Sequence, residues 1–335
     1  MNIGYVFDEN YVCCAAVSIY SLLSNNTTVN PLHFWIFDDG ISIKSKNDLT
    51  KLVNSMNADI TFIDVSPLID KLERLELQPW RGRYSVYIKL LIGQLLPVEL
   101  KRITIIDADT IINGSISELD TMDISPYPCA MALEGIHGEY HKYIHLENSE
   151  LYNTGVIVYD LQEWRSQNIE TQFINHLKNV RSKYMLPEED SISLVLKKNV
   201  YRLAPNFNFI TQFYLYNTEK YYKRFGWDKL SAAFYSYNEL LDAQNDIRIY
   251  HCIDTFTNRP WNKNNFHPYS MLYDHYYNEL NYCKREKKIL LMSKIDTLKF
   301  LLRKYLPVKL SNYMYYIVAR YYYTFKAKKF YNEKD

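Results

Sequence analysis

The sequence predicts an α/β protein built on a mostly parallel central sheet that is flanked by helices. Short apolar runs alternate with longer helical patterns through the first half of the 335 residues. Such alternation is typical of parallel sheets, whose strands are buried on both faces. The length suits one large α/β domain followed by an appendage.

The predicted strands are apolar runs that stop at polar or turn-forming residues. They cover residues 3–7, 32–37, 60–65, 102–106, 151–161 and 247–252. The predicted helices cover residues 12–23, 48–56, 84–96, 163–182 and 188–197. Pro97 ends the third helix and Pro187 precedes the last, because proline breaks a helix interior but suits its first turn. Residues 205–217 are aromatic and irregular.

Charge is distributed unevenly along the chain. The formal net charge is +1, yet residues 284–335 carry 14 Lys and Arg against 4 Asp and Glu. An asymmetry of this kind is typical of an interaction tail.

The cysteines and the apolar runs predict a compartment. The five cysteines are odd in number and form no CxxC pair, which favours a reducing environment. The opening MNIGYVFDENY lacks the basic start and apolar run of a signal peptide. No stretch approaches the ~20 apolar residues of a membrane-spanning helix. We therefore expect a cytoplasmic protein.

Aspartates end two predicted strands at the edge where such sheets bind ligands. Asp8 follows the first strand, and Asp107 and Asp109 follow RITII. Residues two apart in an extended segment point to one side, and the small Ala108 between them leaves room for a ligand. Their carboxylates suit Mn²⁺ or Mg²⁺, which can bridge diphosphate oxygens. A bare Asp-x-Asp pair is also typical of a solvated loop, so this pattern alone leaves both interpretations open.

The sequence contains neither GxGxxG nor GxxxxGK[ST]. Those glycine loops hold diphosphates at helix N-termini. Their absence disfavours dehydrogenases and P-loop enzymes, and it leaves a metal to hold any bound diphosphate.

Seven motifs follow one another along residues 1–270. They are FDENY (7–11), RYSVYIKLLIGQLLP (83–97), IIDADTII (105–112), LYNTGVIVYDLQEWR (151–165), PEEDSISLVL (187–196), PNFNF (205–209) and H…RPW (251–261). In this order they resemble the family-8 retaining glycosyltransferases, in the branch of lipopolysaccharide galactosyl- and glucosyltransferases. The resemblance implies a GT-A fold, a Mn²⁺ cofactor (with Mg²⁺ as the alternative), a UDP-hexose donor and retention of anomeric configuration.

The resemblance also assigns binding residues. The implied metal ligands are Asp107, Asp109 and His251. The residues implied around the nucleotide sugar are Asp8 at the uracil, Asn10 at the ribose, Tyr11 stacked on the base, Lys89, Ala108 and Arg259 near the sugar and phosphates, and Asn153, Thr154 and Gly155 in the donor-sugar pocket.

Two of these positions depart from the family pattern. Lys89 stands where the family usually has Arg, which removes a bidentate fork. Arg259 replaces the family's Lys before Pro-Trp and is predicted to stabilise the departing diphosphate.

The catalytic residues are predicted from PEEDSISLVL. Glu188 and Glu189 fall where the family has an Asp-Gln pair near the anomeric carbon, and Asp190 follows them. We hypothesise that Glu189 stabilises the oxocarbenium-like transition state or attacks it. Retention requires either such a nucleophile or front-side attack by the acceptor. Acidic residues that open a helix are also common partners of its dipole, so that alternative stands for one of the three.

His137, His141 and His145 recur at four-residue spacing. No matching carboxylates accompany them, so we expect an exposed segment at the acceptor site rather than a metal face.

The chain is predicted to comprise a GT-A domain at residues 1–270 and a helical, basic, Tyr-rich extension at residues 271–335. Basic amphipathic helices with aromatic residues bind anionic bilayer surfaces. Because a lipid-linked acceptor would need the enzyme there, we expect it at the inner face of the bacterial plasma membrane. A solvated helix packed on the domain and a nucleic-acid patch are the alternatives, although we expect no nucleic-acid partner.

The predicted function is transfer of glucose or galactose from a UDP-sugar to a lipid-linked surface glycan, such as lipopolysaccharide core, O-antigen or capsule. The alternative is a non-catalytic, membrane-surface protein that binds sugar or nucleotide and retains the fold. The intact Asp107, Asp109 and His251 argue against that alternative, since a degenerate site would lose its metal ligands first.

Overall fold

The computed structural model describes residues 1–29, 31–77, 79, 82–146, 149–180, 184–290 and 292–332. The strands are β1 (Asn2–Phe7), β2 (His33–Asp38), β3 (Asp59–Asp64), β4 (Arg102–Ile106), β5 (Thr110–Ile112), β6 (Cys129–Leu133), β7 (Tyr152–Asp160), β8 (Tyr201–Arg202), β9 (Phe209–Ile210) and β10 (Ile249–His251).

The α-helices are α1 (Val12–Asn25), α2 (Ile43–Asn54), α3 (Ser66–Glu73), α4 (Glu118–Thr121), α5 (Tyr140–Tyr143), α6 (Leu161–Ser166), α7 (Ile169–Val180), α8 (Pro187–Leu196), α9 (Thr211–Leu215), α10 (Glu219–Arg224), α11 (Tyr237–Asn245), α12 (Ser270–Glu279), α13 (Lys294–Tyr305), α14 (Val308–Arg320) and α15 (Ala327–Asn332). Short 3₁₀ segments cover Glu9–Tyr11, Ser85–Gln94, Pro205–Asn208, Trp227–Lys229 and Ser231–Ala233, and a π-helical segment covers Tyr321–Lys326.

A seven-stranded sheet in the order β3-β2-β1-β4-β7-β6-β8 forms the centre of the molecule. Its strand pairs are parallel except at β7, which runs antiparallel to both β4 and β6. Because β7 alone is reversed, its first residues lie at the same edge as the ends of β1, β4 and β6. The predicted mostly parallel sheet is confirmed, and the reversal of β7 is what brings a strand start to the ligand edge.

A smaller sheet in the order β5-β10-β9 lies beyond that edge. His251 at the end of β10 pairs with Thr110 of β5 and with Ile210 of β9. The backbone N–H of Cys252 donates to the carbonyl of Asp109 at 2.9 Å. This small sheet therefore positions His251 beside the segment that follows β4.

Apolar clusters cover both faces of the large sheet. Along β4, Ile103 and Ile105 pack into one cluster and Ile106 into the other, as the alternation of a strand requires. Each face is covered by helices, with α1 on one side and α6 and α7 on the other. A strand buried in this way has no polar face, which explains why β4 is mostly isoleucine after Arg102.

Two predicted helices differ in kind from the structure, and one strand was missed. The predicted helix at residues 84–96 is a 3₁₀ segment, Ser85–Gln94, with a non-helical Leu91 (φ −129°, ψ 26°). The predicted helix at residues 163–182 is two helices, because Asn168 adopts a left-handed φ of 52° between them, and residues 181–182 lie outside the described ranges. Strand β6 was not predicted, since CAMAL is short and lacks β-branched residues.

The predicted extension packs on the preceding domain with one face and exposes the other. Tyr316 and Ala319 of α14 join the main core cluster. The outer face presents Leu298 (58% exposed), Tyr305 (71%) and Phe325 (62%) to solvent. Across the described residues, no helix combines the length and the apolar character needed to cross a membrane.

Candidate active site

Asp107, Asp109 and His251 come together at the carboxyl edge of the large sheet. One possible ligand atom from each residue lies within 4.8 Å of the other two. The carboxylates follow β4 and the imidazole ends β10, so two sheets supply the cluster. Two carboxylates and an imidazole are a donor set that suits Mn²⁺ or Mg²⁺.

Hydrogen bonds orient the imidazole of His251 toward this cluster. Its Nδ1 lies 3.0 Å from Oδ1 of Asn208, and the Nδ2 of Asn208 donates to Oδ1 of Asn153 at 2.6 Å. The Nδ2 of Asn153 in turn donates to Glu134 at 2.6 Å. Because Asn208 offers His251 an oxygen, the proton resides on Nδ1 and the Nε2 atom is left to face Asp109 at 3.3 Å.

The acidity of this cluster follows from its charges. Burial would lower the pKa of His251, but the Asp109 carboxylate outweighs burial and raises that pKa. Burial would raise the pKa of Asp109, but His251 and Arg259 hold it well below its ordinary range. Protons therefore compete with a cation for the Nε2 atom of His251.

Gly155 is required by the close packing behind the cluster. A Cβ at this position would overlap the imidazole of His251 and approach Oδ1 of Asn153. The Gly155 backbone also accepts a hydrogen bond from the Asp107 N–H at 2.9 Å. The glycine thus lets β7 pass directly beneath the ligands.

Two cations neutralise the carboxylates. The Nζ atom of buried Lys89 lies 2.6 Å from Asp107 and 3.2 Å from Glu188, and it donates to the Thr154 carbonyl at 3.0 Å. Arg259 lies 2.7 Å from Asp109. Burial would lower the pKa of Lys89, but the two carboxylates raise it, so the ammonium stays charged.

The three acidic residues of α8 occupy two different environments. Glu188 is buried beside Lys89, and burial raises its pKa to about 8. Glu189 is half-buried and accepts a hydrogen bond from the Thr154 hydroxyl at 3.3 Å. Burial raises the pKa of Glu189 as well.

Asp190 faces away from Glu188 and Glu189. Its Oδ2 accepts hydrogen bonds from the hydroxyls of Tyr140 at 2.8 Å and Tyr331 at 2.9 Å. Burial raises the pKa of Asp190 to about 7. These contacts join the catalytic domain to the extension and give no direct path to the metal cluster, so they favour a positioning role over the predicted catalytic one.

A cavity of about 370 Å³ adjoins the metal cluster. Asp8 there accepts from the Asn10 N–H at 2.9 Å and pairs with Arg83 at 2.7 Å. The ring of Tyr11 is 44% exposed and meets Trp261 edge-on at 6.2 Å. Six of the residues predicted around the nucleotide and metal line this cavity: Asp8, Asn10, Tyr11, Asp107, Ala108 and Asp109. The other predicted residues do not line it: Lys89, Asn153, Thr154, Gly155, His251 and Arg259.

The sequence did not single out Arg83 or Glu134, and it left Asn208 without a role. Arg83 begins the RYSVYIKLLIGQLLP motif, so the sequence could have drawn attention to it, although not to its pairing with Asp8. Glu134 follows β6, the strand that was not predicted. Asn208 matters through His251, which only the tertiary structure places beside it.

Of the three histidines predicted to lie on an exposed segment, His145 is exposed and the other two are buried. His137 and His141 are 3% and 2% exposed. His141 Nδ1 lies 3.1 Å from the Ser149 carbonyl, and the His137 ring lies near Tyr316 of the extension. Docking of the extension, through α14 at His137 and through residues 321–332 at α5, covers this segment, which the local sequence could not reveal.

Comparison with known proteins yields one family. The model of glycosyl transferase family 8 matches residues 2–228. General stress protein A of Bacillus subtilis is 25% identical over 280 residues, which cover 82% of this chain and 92% of that protein. A lipopolysaccharide 1,2-glucosyltransferase of Escherichia coli is 27% identical over 215 residues, 63% of this chain and 62% of that protein.

The fold is similar to that of the galactosyltransferase LgtC, solved with donor and acceptor sugar analogues. The TM-score is 0.68 with 17% identity, and the match covers 89% of this chain and 100% of that one. This likeness confirms the predicted GT-A fold.

Proposed function

Because the chain belongs to glycosyl transferase family 8 and is therefore a glycosyltransferase, we propose that it is a retaining hexosyltransferase. It moves glucose or galactose from a UDP-sugar to a lipid-linked surface glycan, such as lipopolysaccharide core, O-antigen or capsule. Glucose and galactose are the proposed sugars because one relative is a glucosyltransferase and one protein of similar fold is a galactosyltransferase.

The observation that carries the proposal is the metal cluster beside the cavity. Asp107 and Asp109, which cluster with His251, line the same cavity as Asp8 and Tyr11. A diphosphate at the cluster would thus have room for a base and ribose next to it. Tyr11 offers a partly exposed ring on which the base can stack, and Asp8 offers acceptor oxygens for the N–H groups of the base.

The residues of the cluster fit Mn²⁺, with Mg²⁺ as the alternative. Asp107 and Asp109 would supply oxygens, and the Asn208 contact leaves Nε2 of His251 available as a nitrogen ligand. When bound, a divalent cation neutralises charge that develops on the departing diphosphate.

The chain's own cations serve the same leaving group. Arg259 is held at the cluster by Asp109 and lies over the Trp261 ring at 5.6 Å, so its guanidinium is oriented before substrate arrives. Lys89 is buried between Asp107 and Glu188, where it fixes both carboxylates.

Glu189 is the carboxylate proposed to act on the sugar. It is half-buried, close to the donor-sugar residue Thr154, and on the same helix turn as Glu188. As a carboxylate it would stabilise positive charge at the anomeric carbon, or attack that carbon to form a glycosyl-enzyme. We assign Asn153, Thr154 and Gly155 to the pocket that orients the sugar, and Asp190 to positioning of α8.

The extension is proposed to hold the enzyme at the inner face of the plasma membrane. Its outer face combines Leu298, Tyr305 and Phe325 with exposed lysines such as Lys294 and Lys309. Apolar residues flanked by cations suit an anionic bilayer surface. A lipid-linked acceptor would be presented there.

The proposal is tested by UDP release from the purified full-length protein. A panel of nucleotide sugars is assayed with Mn²⁺ and again with a chelator. Release that requires Mn²⁺ and occurs with one UDP-hexose would support the proposal and identify the donor. If no donor is turned over even with lipid-linked glycan acceptors, while UDP still binds, the chain is a binding protein and the proposal is wrong.

A further inference from the structure

A second cavity, of about 300 Å³, lies outside the nucleotide and metal site. Its walls come from the segment around α5, from the end of α10 and the segment that follows it, and from helix α14 of the extension. Basic side chains dominate its lining: Lys142, Lys223, Arg224, Lys229 and Arg320.

The positive charges that line this cavity have few carboxylate partners among the other lining residues. Glu139 is the only carboxylate that lines it among the described residues. Lys223 pairs with Glu219 at 2.6 Å, but within the described ranges Lys142, Lys229 and Arg320 form no ion pair. Like charges around one space repel each other, and a bound anion would relieve that repulsion.

The cavity wall is held in place by aromatic contacts. The guanidinium of Arg224 lies 4.7 Å from the centre of the Tyr313 ring, 5.4 Å from Tyr221 and 5.7 Å from Tyr316. Such cation–π contacts orient the guanidinium, and its hydrogen bond to the Tyr221 hydroxyl leaves other N–H donors of the five available. Arg224 can therefore offer N–H groups to a ligand from a fixed position.

The backbone beneath the cavity is also closely packed. The Gly138 N–H donates to the Phe225 carbonyl at 2.7 Å, and a Cβ on Gly138 would overlap the carbonyl of Gly226. Buried His137 stacks near Tyr316 with ring centroids 6.4 Å apart. The site is thus formed before any ligand binds, and it exists because α14 docks there.

We propose that this cavity binds a phosphate ester or diphosphate. A phosphate carries up to two negative charges and several acceptor oxygens, which matches a group of lysine and arginine donors better than a single carboxylate does. The apolar neighbours Leu230 and Tyr316 leave a surface for the organic part of the ligand. We assign this phosphate to the lipid-linked acceptor. That assignment rests on the proposed function, whereas the anion site itself rests on the cavity alone.

The test is calorimetric titration of the full chain with inorganic pyrophosphate in the presence of a chelator. The variant Lys229→Gln/Arg320→Gln removes two exposed cations of the cavity. The matched control Lys44→Gln/Lys101→Gln removes two exposed cations that lie outside both the cavity and the extension. We expect the cavity variant to bind pyrophosphate at least about tenfold more weakly, with the control close to wild type. Equal affinities of the two variants, or no binding by wild type, would overturn the proposal.

Two further measurements, UDP release and vesicle partition, distinguish this anion site from the metal site and from a lipid-headgroup site. Mn²⁺-dependent UDP release should be equal in both variants, because the cavity shares no residue with the metal cluster. If wild type binds pyrophosphate but releases no UDP, the transferase proposal fails and the anion site stands. Partition onto phosphatidylcholine vesicles that contain phosphatidic acid should be equal for the two variants. A selective loss for Lys229→Gln/Arg320→Gln would assign the phosphate to a lipid headgroup and overturn its assignment to the acceptor.

Discussion

The ligand edge of the sheet and the outer face of the extension both carry cations, but they hold them in opposite ways. Lys89 is 5% exposed and touches two carboxylates, and Arg259 is paired with Asp109. Lys294 and Lys309 of the extension are exposed. A buried charge requires a partner, so the edge is a fixed array for chemistry. Exposed cations stay available to an external surface.

Apolar side chains divide in the same way. Around the ligand edge they are buried in the two clusters that cover the sheet. On the extension, Leu298 is 58% exposed and Phe325 is 62% exposed. The comparison indicates that changes at the edge should affect catalysis and changes on the extension should affect location.

The two regions nevertheless touch. Tyr331 of the extension shares the Asp190 carboxylate with Tyr140 of the catalytic domain. Arg285 donates to the Glu9 carbonyl at 2.8 Å, in the turn that carries the proposed nucleotide residues. The extension therefore supports the site while it exposes its own outer face.

The change with the largest expected effect is Asp109→Asn. It removes a metal ligand and the partner of Arg259, and we expect Mn²⁺-dependent UDP release to fall about 10³-fold. Vesicle partition should not change. Release is measured by UDP detection at saturating donor, with the exposed Asp228→Asn as control. Retained turnover would contradict the assignment of the cluster as the metal site.

Glu189→Gln should reduce kcat about 10²-fold if the carboxylate charge acts on the anomeric carbon. KM for the donor should change little, since the amide keeps the shape of the side chain. Steady-state kinetics distinguish the two parameters, and the exposed Glu99→Gln controls for loss of charge. Full turnover by Glu189→Gln would eliminate the proposed role.

Asp190→Asn tests the junction of the two regions through pH. Burial raises the pKa of Asp190 from 3.8 to about 7, so folding favours the protonated acid. This contribution to stability is complete below the unfolded pKa and is lost as pH rises through the folded one. Between about pH 5 and pH 7 the wild-type free energy of unfolding should fall by roughly 2 kcal/mol relative to the variant. Denaturant titrations measure this difference, and parallel pH profiles would show that Asp190 is not held in its protonated form.

Leu298→Ser should have the smallest effect and should leave UDP release unchanged. The loss of an exposed apolar side chain reduces the area that can enter a bilayer, and we expect partition onto anionic vesicles to weaken about fivefold. Val98→Ser, which removes an apolar side chain that is 75% exposed on the catalytic domain, is the matched control. If both variants partition equally, the outer face of the extension is not the membrane contact.

Much of the fold followed from local patterns. The predicted strand 102–106 coincides with β4, and Asp107 and Asp109 lie where the end of that strand required them to be. Fully buried strands appear in the sequence as apolar runs, and Pro187 marks the start of a helix. The split of the helix at residues 163–182 was not predictable, because Asn168 tolerates several backbone conformations and packing selects the left-handed one.

The sequence by itself determined the parallel strands, the carboxylates at their ends and the family, because these are carried by short segments and their order. Only the tertiary structure decided the orientation of His251 by Asn208, the direction of the buried Asp190 toward Tyr140, and the cationic cavity beside α14. Each of these depends on side chains far apart along the chain. Their contacts exist only after β7 reverses direction and the extension docks.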